Sequence, residues 1–512
     1  MKSKTPNLVY ILADDMGYGD LSCLNPQSRI RTTCLDAMAG AGMAFQDAHS
    51  SSAVCTPSRY SILTGRYNWR SWLKEGVTMG YSKPLIEPSR MTVASLLRDH
   101  GYRTACIGKW HLGWNWAHTG AGEADVDFSQ PITGGPTEIG FDYFYGISAS
   151  LDMPPYVYLE NDRVTAIPNR IVPAATGKGC WREGLIAPDF RHADVLSNLT
   201  ERAVHYIEES AQQQTPFFLY FPLPAPHTPI LPSPEFQGKS GTNEYGDFCL
   251  EVDAVVGRIR ETLRAQGAEE DTILIFTADN GCSPMADFEE LAGVGHHPSY
   301  VFRGHKSDIY EGGHRVPLLV SWPAGIAAGS STGETVCLGD LLATCAEILG
   351  TSLPDEAGED SVSNLPVWQG RELDPALREA TVHHSIDGSF SIRRGHWKLE
   401  MCPGSGGWSH PTPGAECDGL PPIQLYDLDA DIGERRNCQA EHPEVVAELQ
   451  ALLTRYVQTG RSTPGAPQTN HADIDWPQLW WMLSRPQDAP VQAGRLEPPV
   501  NRDKKRSMQF SG

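Results

Sequence analysis

A cysteine, a proline and an arginine at alternate positions form the most chemically specific segment of this chain. Cys55, Pro57 and Arg59 follow a serine-rich stretch at residues 50–52. Because proline suits the first turn of a helix and Arg59 lies one turn after Cys55, the segment predicts a helix that begins near the cysteine. Helix N-termini stabilise anions, so this cysteine could act on an anionic substrate. A buried, unreactive cysteine explains the segment equally well when it is taken alone.

Acidic and amide side chains follow two apolar, β-favouring segments, residues 7–13 and 272–278. They are Asp14, Asp15, Asp279 and Asn280. Open α/β sheets bind ligands at the carboxyl ends of their parallel strands, so we expect these side chains to lie close together. Hard oxygen ligands suit Ca²⁺ or Mg²⁺ better than zinc. Either acidic pair alone is also typical of solvated turns, but the two pairs around one cysteine motif favour a cation site.

Three further segments hold basic residues between glycines or prolines. The segments are 108–113 (Gly-Lys-Trp-His-Leu-Gly), 224–229 (Pro-Ala-Pro-His-Thr-Pro) and 303–317, and their candidate residues are Lys109, His111, His227 and Lys306. An isolated lysine or histidine in a loop is usually only solvated. The chain carries a net charge of −22, so a local cluster of basic residues with a cation is the way it could bind an anion.

Taken together in this order, the motifs resemble those of the type I sulfatases, which are formylglycine-dependent members of the alkaline-phosphatase-like superfamily. The pattern is similar to that of arylsulfatases and covers about the first 370 residues. The resemblance implies that a formylglycine-generating or sulfatase-maturing enzyme oxidises Cys55 to formylglycine. The hydrated aldehyde would then be the nucleophile.

The resemblance also implies a role for each candidate residue. The cation, Ca²⁺ rather than Mg²⁺, would be held by Asp14, Asp15, Asp279, Asn280 and residue 55. Arg59 and Lys109 would hold residue 55, and His111 would be the base that regenerates the aldehyde. His227 and Lys306 would bind sulfate and protonate the leaving oxygen. Ser150, in residues 146–152, corresponds to a serine that contacts sulfate in the family.

Strand-like and helix-like segments alternate through the first two thirds of the chain. The predicted strands are 7–13, 103–108, 217–221, 272–278 and 316–321, and the predicted helices are 92–100, 193–211, 244–266 and 338–349. This alternation predicts an α/β fold with a large, mostly parallel sheet between helices. By resemblance, the fold is expected to be alkaline-phosphatase-like.

A change in composition at residues 350–376 predicts a domain boundary. We expect a catalytic domain at 1–375 and a smaller domain at 376–465. The smaller domain would hold antiparallel strands at 379–384, 389–393, 397–401 and 424–428 and a helix at 443–459. Residues 466–512 are predicted to form an irregular tail that packs on the body through aromatic residues at 476–481.

Composition excludes several classes of function. The acidic balance argues against nucleic-acid binding, and no stretch has the roughly 18 apolar residues of a membrane span. The first residues show no signal-peptide pattern, so the expected location is cytoplasmic, or periplasmic or secreted if a leader has been removed. Cys402 and Cys417 flank a Gly/Pro-rich loop and are expected to be free thiols.

The sequence thus predicts hydrolysis of sulfate monoesters, with a sulfated small molecule or saccharide of galactose or hexosamine type as substrate. One alternative is a phosphonate monoester or phosphodiester hydrolase of the same superfamily. A second is a binding protein in which Cys55 stays a thiol. His296, His297 and His305 could contact substrate or only shape a loop. Trp181 with Arg182 could reach a sugar ring, although packing of the tryptophan is the favoured interpretation.

Overall fold

The computed structural model describes residues 5–483, apart from residues 121, 123, 124, 214, 372, 374, 375 and 473–475. The strands are β1 (Asn7–Asp14), β2 (Met43–Phe45), β3 (Ala48–His49), β4 (Arg103–Lys109), β5 (Tyr143–Ile147), β6 (Tyr158–Glu160), β7 (Arg163–Val164), β8 (Arg170–Val172), β9 (Gly184–Ile186), β10 (Phe217–Pro226), β11 (Thr272–Ala278), β12 (Leu318–Ser321), β13 (Ser330–Thr332), β14 (Val336–Cys337), β15 (Thr381–His384), β16 (Phe390–Arg394), β17 (Trp397–Glu400) and β18 (Gln424–Asp427). The α-helices are α1 (Thr33–Gly40), α2 (Cys55–Thr64), α3 (Val93–Asp99), α4 (Val195–Ala211), α5 (Glu244–Ala265), α6 (Phe288–Gly293), α7 (Glu311–His314), α8 (Leu341–Leu349), α9 (Leu365–Trp368), α10 (Pro443–Thr459) and α11 (Trp480–Leu483).

The larger sheet carries the site residues at the carboxyl ends of its central strands. Its strand order within the described residues is β13-β2-β12-β11-β1-β10-β4-β5-β6-β7. The central strands, from β11 to β5, are all parallel. β1 and β11 are almost uninterrupted apolar runs and are buried along nearly their whole length, as expected for strands covered on both faces. The predicted α/β fold with a mostly parallel sheet is confirmed.

Both edges of this sheet depart from the parallel arrangement. The predicted strand at 316–321 is β12, which pairs antiparallel with β11 and with β2. β6 and β7 are antiparallel at the opposite edge. A parallel β12 would require the chain to cross to the other end of the sheet. Instead, residues 279–317 stay at the carboxyl ends of the central strands, and this places Asp279 and Lys306 at the same end of the sheet.

The predicted helices correspond to α3, α4, α5 and α8. α3 begins after Thr92, whose hydroxyl accepts a hydrogen bond from the Ser95 amide, and α5 begins after Asn243, which caps it in the same way. α4 and α8 start later than predicted because a short 3₁₀ turn precedes each of them. α4 and α5 pack on each other and on β10, whereas α3 packs on α8 and on β4.

The smaller sheet is antiparallel, with the order β15-β16-β17-β18. α10 occupies the predicted range and packs on β16 and β17. Its apolar face, which includes Leu449 and Leu453, joins the same buried cluster as Phe390 and Leu399. The predicted antiparallel sheet with one helix is therefore confirmed.

The segment after α10 lies against this cluster. The rings of Trp476 and Trp69 are 5.8 Å apart, and the rings of Trp481 and Phe390 are 5.5 Å apart. The predicted boundary at residue 375 lies outside the described residues, as do residues 484–512 of the predicted tail, so the division into domains stays a prediction. Cys402 and Cys417 are free thiols. No helix in the described part of the chain is long and apolar enough to cross a membrane.

Candidate active site

Two neighbouring strands bring the carboxylates together. β1 and β11 pair in parallel with Ala13 opposite Ala278, so Asp14 and Asp279 end the two strands side by side. Both carboxylates are fully buried. Asp15 follows in a left-handed conformation with φ of 64°, and its amide donates a hydrogen bond to Asp279 Oδ1 at 3.3 Å.

Cys55 is the first residue of α2, where the sequence pattern predicts a helix to begin, and its side chain is buried. One turn later, the Arg59 guanidinium donates to Asp279 Oδ2 through Nε at 3.0 Å and Nη2 at 2.7 Å. It also donates to the Lys109 carbonyl at 3.0 Å. Burial raises the pKa of the Cys55 thiol, although Lys109 and Lys306 oppose the shift. An unmodified thiol at this position would therefore stay protonated and would be a poor nucleophile.

The carboxylate side of the site has the donors that a hard cation requires. Ligand atoms of Asp14, Cys55 and Asp279 lie within 4.8 Å of one another, as do those of Asp14, Asp15 and His227. Among the described residues, Asp14 Oδ1 and Asn280 Oδ1 are buried without a hydrogen-bond partner. Burial and the charge of Asp14 raise the pKa of Asp279 to about 7. A bound cation would give the two orphaned oxygens a partner and would neutralise these carboxylates, so the residues fit Ca²⁺ or Mg²⁺.

Basic residues line the opposite side. Lys109 Nζ donates to Asp14 Oδ2 at 2.5 Å and to Ser150 Oγ at 3.1 Å. Lys306 Nζ donates to Asp15 at 2.7 Å. Burial alone would lower the pKa of Lys306, but the Asp15 carboxylate holds it well above its usual range. Lys306 can therefore present positive charge to an anion.

His227 lies between these two lysines. Its Nδ1 is 2.5 Å from the Thr228 carbonyl, which can only accept, so Nδ1 carries a proton, and it is 3.3 Å from Ser150 Oγ. Its Nε2 is 3.6 Å from Asp15 Oδ2. Burial, together with the charge of Lys306, lowers the pKa of His227.

His111 is held in one orientation by its neighbours. Its Nε2 lies 2.7 Å from the Thr78 carbonyl, which can only accept, so we assign the proton to Nε2. Nδ1 then carries a lone pair, and it is buried without a hydrogen-bond partner among the described residues. The hydroxyls of Thr56 and Thr78 both donate to the His111 carbonyl, at 3.1 and 3.0 Å. Burial and Lys109 lower the pKa of His111, so the imidazole is neutral and can accept a proton at Nδ1.

Comparison with known proteins agrees with this geometry. A family model described as "Sulfatase" matches residues 6–351. The chain belongs to the sulfatase family. It is 34% identical over 495 residues to an N-acetylgalactosamine-6-O-sulfatase of Bacteroides thetaiotaomicron, with 88% of this chain and 93% of the relative covered. It is 32% identical to human arylsulfatase A over 482 residues, with 88% of this chain and 87% of the relative covered. This sulfatase is a sulfuric ester hydrolase, as the motifs predict.

Solved structures show the same fold. One structure, from work on glycosaminoglycan metabolism by B. thetaiotaomicron, superposes with a TM-score of 0.79 at 33% identity and covers 88% of this chain and 99% of its own. A phosphonate monoester hydrolase of Agrobacterium radiobacter superposes with a TM-score of 0.56 at 21% identity, covering 88% of this chain and 95% of its own. At that identity the second likeness supports the fold alone.

In this sulfatase the predicted site residues meet at the carboxyl ends of the central strands. The structure also places residues there that the sequence did not single out. Thr56 lies inside the cysteine motif, but Thr78 is a single threonine in a loop, and no sequence signal marks it. Of the three histidines left open, His296 is buried and contacts Asp20 Oδ1 at 2.7 Å. This contact favours a structural role in its loop. The contribution of each site residue to catalysis remains a prediction.

Proposed function

We propose that this sulfatase removes O-sulfate groups from galactose- or hexosamine-type saccharides, with Cys55 converted to formylglycine and one bound Ca²⁺. The observation that carries the proposal is the position of Cys55, a protonated thiol between an oxygen-rich face and two buried lysines. The named relatives act on sulfate esters, and two of those matched are N-acetylgalactosamine-6-sulfatases. The substrate class is inferred by analogy with them.

The cation would be held by Asp14, Asp15, Asp279, Asn280 and residue 55. When bound, it would polarise a sulfate oxygen and lower the pKa of a hydroxyl on residue 55. Ca²⁺ is favoured over Mg²⁺ because three carboxylates and an amide give the irregular oxygen set that calcium accepts. Elemental analysis of the purified protein should find about one calcium per chain, and stoichiometric zinc would contradict the assignment.

A hydrated aldehyde at residue 55 would supply one hydroxyl to attack sulfur and a second whose deprotonation releases sulfate. Arg59 is hydrogen-bonded to Asp279 and to the Lys109 carbonyl, so its guanidinium would position residue 55 without moving. Lys109 would share the negative charge that develops on the sulfuryl oxygens. His111 would take the proton of the second hydroxyl at Nδ1, because Nε2 is committed to the Thr78 carbonyl.

His227 and Lys306 would serve the leaving group. They come from loops after β10 and β11, and each is close to the Asp15 carboxylate. Lys306 would bind a sulfate oxygen. Burial and Lys306 lower the pKa of His227, but the Asp15 carboxylate opposes this shift, and the negative charge of a bound sulfate ester would oppose it further. His227, protonated at Nε2 in that complex, would donate this proton to the departing sugar oxygen. Ser150 would bind sulfate from its place between Lys109 and His227.

The test combines mass spectrometry with turnover. The peptide that contains residue 55 should show the mass loss of thiol-to-aldehyde conversion, and active protein should hydrolyse aryl and sugar sulfates. Cys55→Ala should abolish turnover but leave the melting temperature close to that of the wild type. Cys345→Ala, at another buried free cysteine, is the matched control and should stay active.

Turnover by a protein whose Cys55 remains a thiol would refute the mechanism. Faster hydrolysis of an aryl phosphonate than of an aryl sulfate would favour the phosphonate monoester alternative. Protein whose Cys55 remains a thiol and that hydrolyses no sulfate ester would favour the binding-protein alternative.

A further inference from the structure

A hairpin outside the sequence motifs lies beside the leaving-group residues. β8 and β9 pair antiparallel, and residues 173–183 connect them. The Ile230 amide, three residues after His227, donates to the Lys178 carbonyl at 2.9 Å. The Arg182 amide donates to the Asp152 carbonyl at 3.0 Å, and Asp152 is two residues after Ser150. The hairpin is thus hydrogen-bonded to the loop that carries His227 and to the loop that carries Ser150.

Further contacts hold the hairpin against the loop of Asp152. Tyr156 is buried, and its hydroxyl hydrogen-bonds to the Asp152 carbonyl at 3.0 Å and to the Arg182 carbonyl at 2.6 Å. The Trp181 ring stacks on His192 with centroids 4.2 Å apart. Trp181 therefore packs, as the sequence favoured, and the adjacent Arg182 is left facing outward.

Asp152 and Arg182 form an ion pair at this place. The Asp152 side chain is 15% exposed and the Arg182 side chain is 44% exposed. Among the described residues, Asp152 Oδ1 is buried without a hydrogen-bond partner and closed to solvent, and Arg182 uses only Nη1 in the pair. The guanidinium therefore keeps exposed donors, and the Asp152 carboxylate holds them in place.

Asp152 is close enough to the site to be influenced by it. Burial would raise the pKa of Asp152, but the charges of Arg182, His227 and Lys109 lower it. The carboxylate is therefore ionised and accepts hydrogen bonds only. Because it neutralises Arg182, the pair offers guanidinium donors with no net charge.

We propose that Arg182, held in place by Asp152, determines substrate specificity by donating hydrogen bonds to hydroxyl groups of the sugar that carries the reacting sulfate. This inference rests on the proposed function. A hydroxyl oxygen accepts hydrogen bonds, so it matches the exposed donors of the guanidinium. Asp152 already neutralises Arg182, so we commit to neutral hydroxyls and not to a second anionic group. A simple aryl sulfate has no such group and gains nothing from the pair.

The test compares kcat/KM for N-acetylgalactosamine 6-sulfate and galactose 6-sulfate with that for 4-nitrophenyl sulfate. Arg182→Gln should lower kcat/KM on the sugar sulfates by about 10- to 100-fold, since it removes a hydrogen bond from a charged donor. Asp152→Asn should lower it in the same direction, since it releases the guanidinium that Asp152 holds. Turnover of the aryl sulfate should change by less than about 3-fold. Arg191→Gln is the matched control, because Arg191 is 76% exposed and also pairs with an aspartate.

Monodeoxy sugar sulfates identify the contact. For the wild-type enzyme, one deoxy analogue should lower kcat/KM by the same factor as the substitution does. For the variant, the same analogue should lower kcat/KM no further. Equal losses on sugar and aryl sulfates would overturn the inference and leave the proposed function standing. Losses confined to saccharides with a second sulfate or carboxylate would also overturn it. A wild-type enzyme that hydrolyses aryl sulfate but no sugar sulfate would overturn the substrate class and the inference together.

Discussion

Non-glycine residues at the site hold left-handed backbone conformations. Asp15, His111 and Ser307 have φ of 64°, 58° and 84°. Each such conformation costs on the order of 1–3 kcal/mol and persists only when its surroundings enforce it. At His111 the enforcing contacts are the hydroxyls of Thr56 and Thr78, so the strain accompanies the placement of its imidazole.

The two site histidines should be separable by their effects on different leaving groups. His227→Ala should lower kcat/KM on a sugar sulfate by about 100-fold or more and on 4-nitrophenyl sulfate by less than about 10-fold, because a sugar alkoxide needs a proton that an activated phenolate barely requires. His111→Ala should slow both substrates, because release of sulfate from residue 55 is independent of what has left. The measurement is kcat and kcat/KM for each variant on both substrates.

His205→Ala, on the exposed surface of α4, should leave both rates unchanged and controls for loss of any histidine. If His227→Ala costs the same factor on both substrates, His227 is not the acid.

At the scale of elements, glycines let three strands approach closely just before the site. Gly108 and Gly146 are opposite each other on β4 and β5. A Cβ at Gly146 would lie 1.8 Å from the Gly108 carbonyl oxygen, and a Cβ at Gly108 would lie 2.0 Å from the Pro222 carbonyl oxygen on β10. Backbone is in the way in both cases, so only a shift of the strands could make room. The same strand ends lead into Lys109, Ser150 and His227.

Gly146→Ala should therefore reduce stability and activity together. We expect a loss of about 1–3 kcal/mol in the free energy of unfolding from overpacking, and a fall in kcat because Lys109 and Ser150 move apart. Gly333→Ala is the control, since Gly333 is exposed and an added Cβ would meet no atom within 4 Å. Denaturant unfolding and turnover measure the two effects, and full activity in Gly146→Ala would show that this contact does not set the site geometry.

At the scale of the whole molecule, a buried polar network joins the smaller sheet to the rest. Arg393 donates to Asp47 at 2.8 Å, and Lys398 lies 3.3 Å from Glu311. The rings of His314 and His383 stack with centroids 3.8 Å apart. Removing one partner of a buried ion pair costs on the order of 3–5 kcal/mol, so these pairs hold the two sheets together.

This network should make the protein sensitive to acid. Burial lowers the pKa of His49, His314 and His383, so they stay neutral in the folded protein, whereas the unfolded chain binds a proton on each near pH 6.5. Stability is therefore lost as pH falls below about 6.5, by about 1.4 kcal/mol per pH unit for each such histidine.

Denaturant unfolding at pH 7.5 and 5.5 measures this loss. His383→Gln should be less stable at pH 7.5 but should lose less on going to pH 5.5. An exposed histidine replaced in the same way, His205→Gln, should leave the difference as in the wild type. If the loss of unfolding free energy between pH 7.5 and 5.5 is equal in the wild type and in His383→Gln, then His383 does not cause the acid sensitivity.

Features that depend on neighbouring residues in the chain were determined by the sequence. β1 and β11 follow from uninterrupted apolar runs, and α10 follows from a proline at its start and a one-sided apolar pattern. The motifs likewise indicated the family and the candidate residues, because each motif lies within a few consecutive positions. The edge strands were not predicted, since strands of two or three residues carry no periodic signal.

Features that depend on distant residues were decided only by the tertiary structure. Lys109 contacts Asp14 across 95 positions because β10 alone separates their strands, and Arg59 contacts Asp279 across 220. The protonation state of Cys55 and the free Nδ1 of His111 follow from burial, which no residue determines for itself. The Asp152–Arg182 pair exists because a hairpin folds back onto the loop of Ser150. Proximity in such cases is set by which strands pair and how the loops pack, and local sequence does not encode that choice.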